Sequence, residues 1–235
     1  MRRLMIAAAL FVLCVAVSGV SARQDDQCLQ KGGNLQDDGT CKLSAQINIS
    51  VDYPLDLAQN PLIADAVDPF IAQTKNDLLQ FLMEGFNPGP AQYELDVTYA
   101  TSQRGDNLLS LIFTEYVYTG GAHPTTVFKT FTFDLHADRV LMLDDLFKPG
   151  IDPYPTLGAT VEDLLRQQLA GISDDDFIHS GAGENPDNYQ NFALDGSDLV
   201  FYFPPAQVAA HAAGPQILRV PLSALSSILA PEYLS

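Results

Sequence analysis

Hydrophobic and polar positions alternate along much of the chain. In Gln46-Ile47-Asn48-Ile49-Ser50-Val51-Asp52-Tyr53 the apolar residues Ile47, Ile49, Val51 and Tyr53 share one face, which predicts a half-buried strand ended by Pro54. Tyr93 to Tyr99 alternates again, Leu108 to Tyr118 is a third strand and Thr126 to Leu135 a fourth. The third and fourth are separated by Gly120-Gly121-Ala122-His123-Pro124, so they read as an antiparallel hairpin. A second hairpin joins Tyr189–Leu194 to Leu199–Phe203 around Asp195-Gly196-Ser197, and a last strand covers Gln216 to Val220. Helical spacing governs other stretches. Asn60-Pro61 and Asp68-Pro69 each pair a capping residue with Pro at the first helical position. They predict a short helix from Pro61 and a main helix from Pro69 to Glu84, with Phe70, Ile71, Leu78, Phe81 and Leu82 inward. The turn at Asn87-Pro88-Gly89-Pro90 follows. Asp144-Asp145-Leu146-Phe147 predicts a short helical turn capped by Asp144. Asp152-Pro153 opens a helix with Leu157, Val161, Leu164, Leu165 and Leu169 at helical spacing. The acidic, Gly-containing run from Ser173 to Glu184 predicts a loop, and Leu222, Leu225, Ile228 and Leu229 predict a final helix.

Strand pairs arrive as hairpins, not as strand–helix–strand crossovers. The expected class is α+β, an antiparallel or mixed sheet with helices packed on one face, and no parallel nucleotide-binding domain. The N-terminus has another pattern. Met1-Arg2-Arg3 precedes an apolar run from Leu4 to Val17, too short to span a bilayer, and Val20-Ser21-Ala22 offers a small-residue exit. Residues 1–22 therefore read as a signal peptide cleaved after Ala22, leaving no stable membrane span. Cys14 departs with it. Cys28 and Cys41 remain, and in an exported chain they pair as a disulfide closing a loop over residues 23–45; two thiols with no nearby His are too few ligands for zinc. Residues 46–235 form one domain.

Charge narrows the partners. The chain has 12 Lys+Arg against 29 Asp+Glu, a net charge of −17, and loss of Arg2 and Arg3 makes the exported form more acidic still. Nucleic-acid phosphates are excluded as a partner, and basic partners are favoured. Candidate chemistry is sparse. There is no Gly-x-Ser-x-Gly elbow, no phosphate-binding loop, no His-x-x-x-His pair and no EF-hand pattern, so no cofactor or metal is read. Ser180, in His179-Ser180-Gly181-Ala182-Gly183, is the nearest approach to a nucleophile, with His179 or His123 as base. His123 has two readings. Its ring bonds loop carbonyls and holds the turn, with Gly120 or Gly121 at positive φ; or it is exposed on a recognition loop with Tyr116, Tyr118, Gly120, Gly121 and Pro124.

Tyr118-Thr119-Gly120-Gly121-Ala122-His123-Pro124-Thr125-Thr126 resembles the Gly-Gly-x-His-Pro segment of the RsiV-like family, which includes exported mycobacterial antigens. Ile47 to Ser50, Phe70 to Thr74, Pro90 to Val97, Asn185-Pro186-Asp187-Asn188-Tyr189-Gln190-Asn191-Phe192-Ala193, Ala212-Ala213-Gly214-Pro215 and Val220-Pro221 follow the same order. The cysteines near the mature N-terminus also look like those of the antigen. The resemblance implies an α+β fold. Related domains recognise lysozyme or stand beside a peptidoglycan deacetylase domain, but this chain has neither a sigma-binding segment nor a deacetylase motif. Two functions are expected from this: a secreted, non-catalytic binding protein for a basic protein such as a lysozyme or for a cell-envelope component, or an envelope esterase acting on short acyl esters.

Overall fold

A computed structural model of the chain describes residues 27–29, 33–43, 46–85 and 92–233. The leader at 1–22 and the turn at 87–90 lie outside them. The chain divides into two units, one of residues 1–46 with 87–91 and one holding the rest. The described part of the smaller unit is a hairpin of β1 (Gly33–Leu35) and β2 (Cys41–Leu43), with Cys28 joined to Cys41 by a disulfide, as expected.

The larger unit is α+β. Its first sheet runs β3-β4-β5-β6-β7: β3 (Gln46–Val51), β4 (Gln92–Arg104), β5 (Leu108–Tyr118), β6 (Thr125–Asp134) and β7 (Arg139–Leu141). β4 to β7 pair antiparallel. β3 was expected to be half-buried, yet Ile47 and Ile49 are 46% and 37% exposed, because β3 sits at the sheet's edge. One helix, α1 (Pro61–Gly85), replaces the two predicted. Asn60 caps it, its side-chain oxygen accepting the Leu62 N–H at 3.0 Å. Ile63, Val67, Ile71, Leu78 and Leu82 form a buried stripe that continues past Pro69. An interior Pro costs roughly 3 kcal/mol, whereas each buried aliphatic side chain contributes about 1.5–3 kcal/mol. Packing the stripe therefore outweighs the break. Phe70 packs against Phe113 and Phe131 of the sheet, whereas Phe81, also predicted inward, is 44% exposed.

The second half builds a smaller sheet, β8 (Phe192–Asp195), β9 (Asp198–Phe203) and β10 (Gln216–Pro221), in the order β10-β9-β8. Tyr189 belongs to a 3-10 turn ahead of β8, not to the strand. Two helices accompany this sheet: α2 (Tyr154–Gln168) and α3 (Asp175–Ala182). Leu157, Val161 and Leu165 of α2 share a core with Leu199, Phe201, Phe203, Leu218 and Val220. α3 corrects the expected loop over 173–184. Asp174 accepts the Phe177 N–H at 2.8 Å, Asp175 and Asp176 sit in the positive first turn, and Ile178 and Ala182 are buried. The composition looked like solvated loop because its acids are helix-start acids. The short turn before α2 is present as a 3-10 turn over Leu143–Leu146, but Asp145 caps it, accepting the Met142 N–H at 2.8 Å. Asp144 accepts the Tyr154 hydroxyl instead, at 2.6 Å. The predicted final helix is a single 3-10 turn, Leu222–Leu225, although Leu222, Leu225, Ile228 and Leu229 are all buried.

The two sheets meet edge on face. The β8–β9 turn has two residues, so Ala193 bonds across to Val200, and the backbone groups of Phe192 and Leu194 point away from β9. No described strand lies on that side. Four hydroxyls of the larger sheet stand in for one. The Phe192 N–H donates to Thr130 Oγ1 at 2.9 Å and its carbonyl accepts from Thr132 Oγ1 at 3.4 Å. The Leu194 N–H donates to Ser110 Oγ at 3.0 Å and its carbonyl accepts from Ser102 Oγ at 2.9 Å. Thr130, Thr132, Ser110 and Ser102 come from β6, β5 and β4, and the register places them on the face opposite α1. Ser110 and Thr132 also bond each other at 2.9 Å.

Ser110→Ala and Thr130→Val each leave a buried backbone N–H unpaired. Each is expected to cost about 1–3 kcal/mol in urea unfolding, against a near-neutral change for an exposed site such as Thr98→Ala.

Candidate functional site

The smaller sheet stands on the larger one and leaves part of that polar face open. Strict alternation along β4 puts Glu94, Asp96 and Thr98 there, while Leu95 and Val97 turn to the buried side under α1. Glu94 lies directly opposite Tyr118, and Asp96 opposite Tyr116. On β6, Thr126 lies opposite Tyr116, and Phe128 follows on the same face. These residues make a floor. The wall comes from the face of the smaller sheet turned away from its core: Val200 and Tyr202 of β9 and Ile217 and Arg219 of β10. Phe128 and Tyr202 close the angle between floor and wall, their ring centroids 5.4 Å apart.

The corner is acidic and aromatic. Arg219 bonds Asp195 at 2.6 Å and Asp198 at 2.8 Å, so its charge is already engaged. Glu94 and Asp96 carry no ion pair among the described residues, and both are partly exposed. Burial pushes the Tyr202 phenol above its usual range, and Asp195 adds to the effect. Tyr116 and Tyr118 are half-buried, each directly across from one acid of β4. Such a surface offers large rigid contact area with a negative field, which suits a cationic protein surface or peptide.

The Gly-rich tip lies at the end of the floor, between β5 and β6. Gly120 takes φ +80°, a conformation that side chains with a Cβ rarely adopt, and Gly121 does not. Gly120, Gly121 and His123 are exposed, and Pro124 is half-buried. His123 makes no side-chain hydrogen bond to a described residue, and its ring does not hold the turn by bonding described loop carbonyls. Sequence reasoning found Tyr116, Tyr118 and the tip. It missed Glu94, Asp96, Asp195, Asp198 and Tyr202. The alternation of 93–99 already put Glu94 and Asp96 on the polar face; their pairing with the tyrosines needed the strand register.

His179 and Ser180 lie elsewhere, on α3. His179 Nδ1 stands 2.8 Å from Glu162 Oε1, and Glu162, 9% exposed, is also held by Arg166 at 2.6 Å. Arg166 in turn reaches Asp163 and Asp175. A carboxylate that orients an imidazole is two-thirds of a nucleophile-activating triad. The third part is missing: no serine hydroxyl is hydrogen-bonded to a histidine among the described residues, Ser180 included. His123 belongs to the other sheet's hairpin. Glu162 was not singled out from the sequence, although its spacing of four from Arg166 on a helix was a signal.

Comparison with known proteins places both halves. Residues 35–126 match a family model described as Deacetylase PdaC, and residues 144–223 match one described as Protein of unknown function (DUF3298). The chain is 34% identical over 171 residues to Immunogenic protein MPT64 of Mycobacterium tuberculosis, covering 70% of this chain and 72% of the relative. It is 27% identical to Esterase Rv3036c of the same organism, over 95% of this chain and 97% of the relative. Among solved structures, a DUF3298 family protein from Pseudomonas aeruginosa superposes with a TM-score of 0.58 at 20% identity, covering 83% of this chain and 88% of that one. That likeness carries the fold alone.

The α3 arrangement has little slack. A Cβ on Gly181 would lie 1.8 Å from the Gln207 carbonyl oxygen, while the Gln207 side chain donates to the carbonyls of Gly181 and Asn188. Gly181→Ala is expected to destabilise the protein by about 3 kcal/mol or more in urea unfolding, because backbone must move on both sides.

Proposed function

The chain belongs to the family of the mycobacterial immunogenic protein MPT64, and from that premise we propose that it is an exported, non-catalytic binding protein of the RsiV-like type. Export through the leader at 1–22, with cleavage after Ala22, is part of this reading. The observation that carries it is the corner between the sheets. There Tyr116 and Tyr118 lie opposite Asp96 and Glu94 on the floor, Tyr202 of the wall meets Phe128, and Asp195 and Asp198 engage the one guanidinium of the wall. Its partner is a basic protein such as a lysozyme, or a basic component of the cell envelope. The exposed tip at His123 borders this surface and contributes to it.

A second reading, an esterase for short acyl esters, is favoured by the kinship with Esterase Rv3036c and by the His179–Glu162 pair. In it His179 is the base, Glu162 its orienting acid, and the nucleophile a hydroxyl or water brought to His179 with the substrate.

Titration of purified protein with hen lysozyme at low salt tests the first reading. Binding is expected, weakening about tenfold or more when salt rises from 0.02 M to 0.5 M as the Debye length shrinks. Tyr116→Ala is expected to weaken it about tenfold at any salt, and Asp96→Asn chiefly at low salt. No heat and no shift at low ionic strength would count against a lysozyme partner. Hydrolysis of a short-chain chromogenic ester, lost in His179→Ala and retained in His123→Ala and Ser180→Ala, is the outcome expected of the second reading. Turnover no better than a heat-denatured control removes that reading.

A further inference from the structure

On the other side of the larger sheet, between α1 and the strands, lies a cavity of about 270 Å³. Glu115 stands in its wall. The register sets Glu115 directly between Val97 and Val127, so its cross-strand neighbours on that face are apolar. Leu78 and Phe81 of α1, Leu95 of β4 and Val117 of β5 supply the apolar lining, and Thr74 and Asp77 of α1 a hydroxyl and a second carboxylate. Glu115 is two-sided in character. Burial raises its pKa, the nearby Asp77 adds to the rise, and a hydrogen bond from Thr74 and the charge of Lys129 pull the other way. No described residue forms an ion pair with it. Lys129, whose charge reaches it, stands over the Phe131 ring at 5.1 Å and forms no ion pair among the described residues.

A half-buried carboxylate without a paired cation costs stability, and one set in a cavity is a candidate binding group. We propose that this cavity binds a primary alkylammonium group, its ammonium between Glu115 and Asp77 with Thr74 beside it, and its aliphatic arm against Leu78, Leu95 and Val117. The size admits this class. A butylammonium ion, at the ~30 Å³ that water takes per heavy atom, needs about 150 Å³. A lysine side chain of a protein or peptide carries the same group. Polarity fits as well: a neutral chain of equal length would leave the half-buried Glu115 carboxylate without a counter-charge, and a bare cation would leave the apolar walls unused. The cavity lies on the α1 side of the sheet, opposite the tyrosine corner, so the proposal stands or falls separately from the binding reading above.

The test is a titration of the whole exported protein with n-butylamine at neutral pH and low salt, followed by methyl NMR, beside the neutral twin 1-butanol. Butylammonium is expected to shift the methyls of Leu95 and Val117 with a Kd of millimolar order, at least tenfold tighter than butanol. Glu115→Gln, close to isosteric, is expected to abolish the preference for the amine while leaving the rest of the spectrum in place. Lys129→Gln is expected to tighten amine binding, because it removes the competing cation. Lowering the pH through the raised Glu115 pKa is expected to weaken binding; Asp77 and Lys129 are the other titratable groups that face it. Equal shifts with amine and alcohol, an unchanged preference in Glu115→Gln, or no shift at high millimolar amine would each overturn the proposal.

Discussion

The larger unit depends on where the outer edge of β8 finds its hydrogen-bond partners. A buried strand edge with open N–H and C=O groups is costly, and proteins normally add a strand or cover the edge. Here Ser102, Ser110, Thr130 and Thr132 do the work of a strand, from three neighbouring strands of another sheet. The arrangement fixes the depth and the position at which the second sheet stands. The core of α2 and the smaller sheet then fills one side of that upright sheet, and the tyrosine corner is what remains on the other. Because hydroxyls read backbone and not side chains, the joint demands little of the sequence of β8 beyond strand conformation. That is consistent with two separate family descriptions, one for residues 35–126 and one for residues 144–223, meeting in one chain.

Much of this architecture was legible in local pattern. β5 spans the predicted Leu108 to Tyr118, the β5–β6 and β8–β9 hairpins stand where glycine-containing turns placed them, and Cys28 pairs with Cys41. These features are set by neighbours in sequence. Local signals misled where a longer-range interaction prevailed. Pro69 signalled a new helix, but the stripe from Ile63 to Leu82 had a sheet to pack against. The acids of 174–176 signalled solvent, but they sit at a helix start whose far end buries Ile178 and Ala182. β7 is three residues long, too short for any period to show.

The candidate site was legible only in part, for a related reason. Tyr116, Tyr118 and the tip at His123 are marked by local composition. Glu94 and Asp96 acquire meaning only from their register with β5, and Tyr202 only from the contact with Phe128 across the two sheets. Strand alternation also separates the two surfaces of β5 by a single residue: Tyr116 and Tyr118 face the corner, while Glu115 and Val117 line the cavity beneath α1. One short segment therefore serves two environments that share no side chain.

The turn between β8 and β9 imposes a constraint of a different kind. Asp195 and Asp198 face each other directly across a two-residue hairpin, and like charges in that position repel. Arg219, reaching over from β10, bonds both. The three positions thus form a unit of inheritance. A lineage that gave up Arg219 first would pass through a form with two carboxylates opposed at the end of the strand whose edge joins the sheets. A lineage that replaced one aspartate first would keep a matched pair. Removing Arg219 alone is therefore the costlier of the two changes, since it leaves the opposed acids without the charge that holds them.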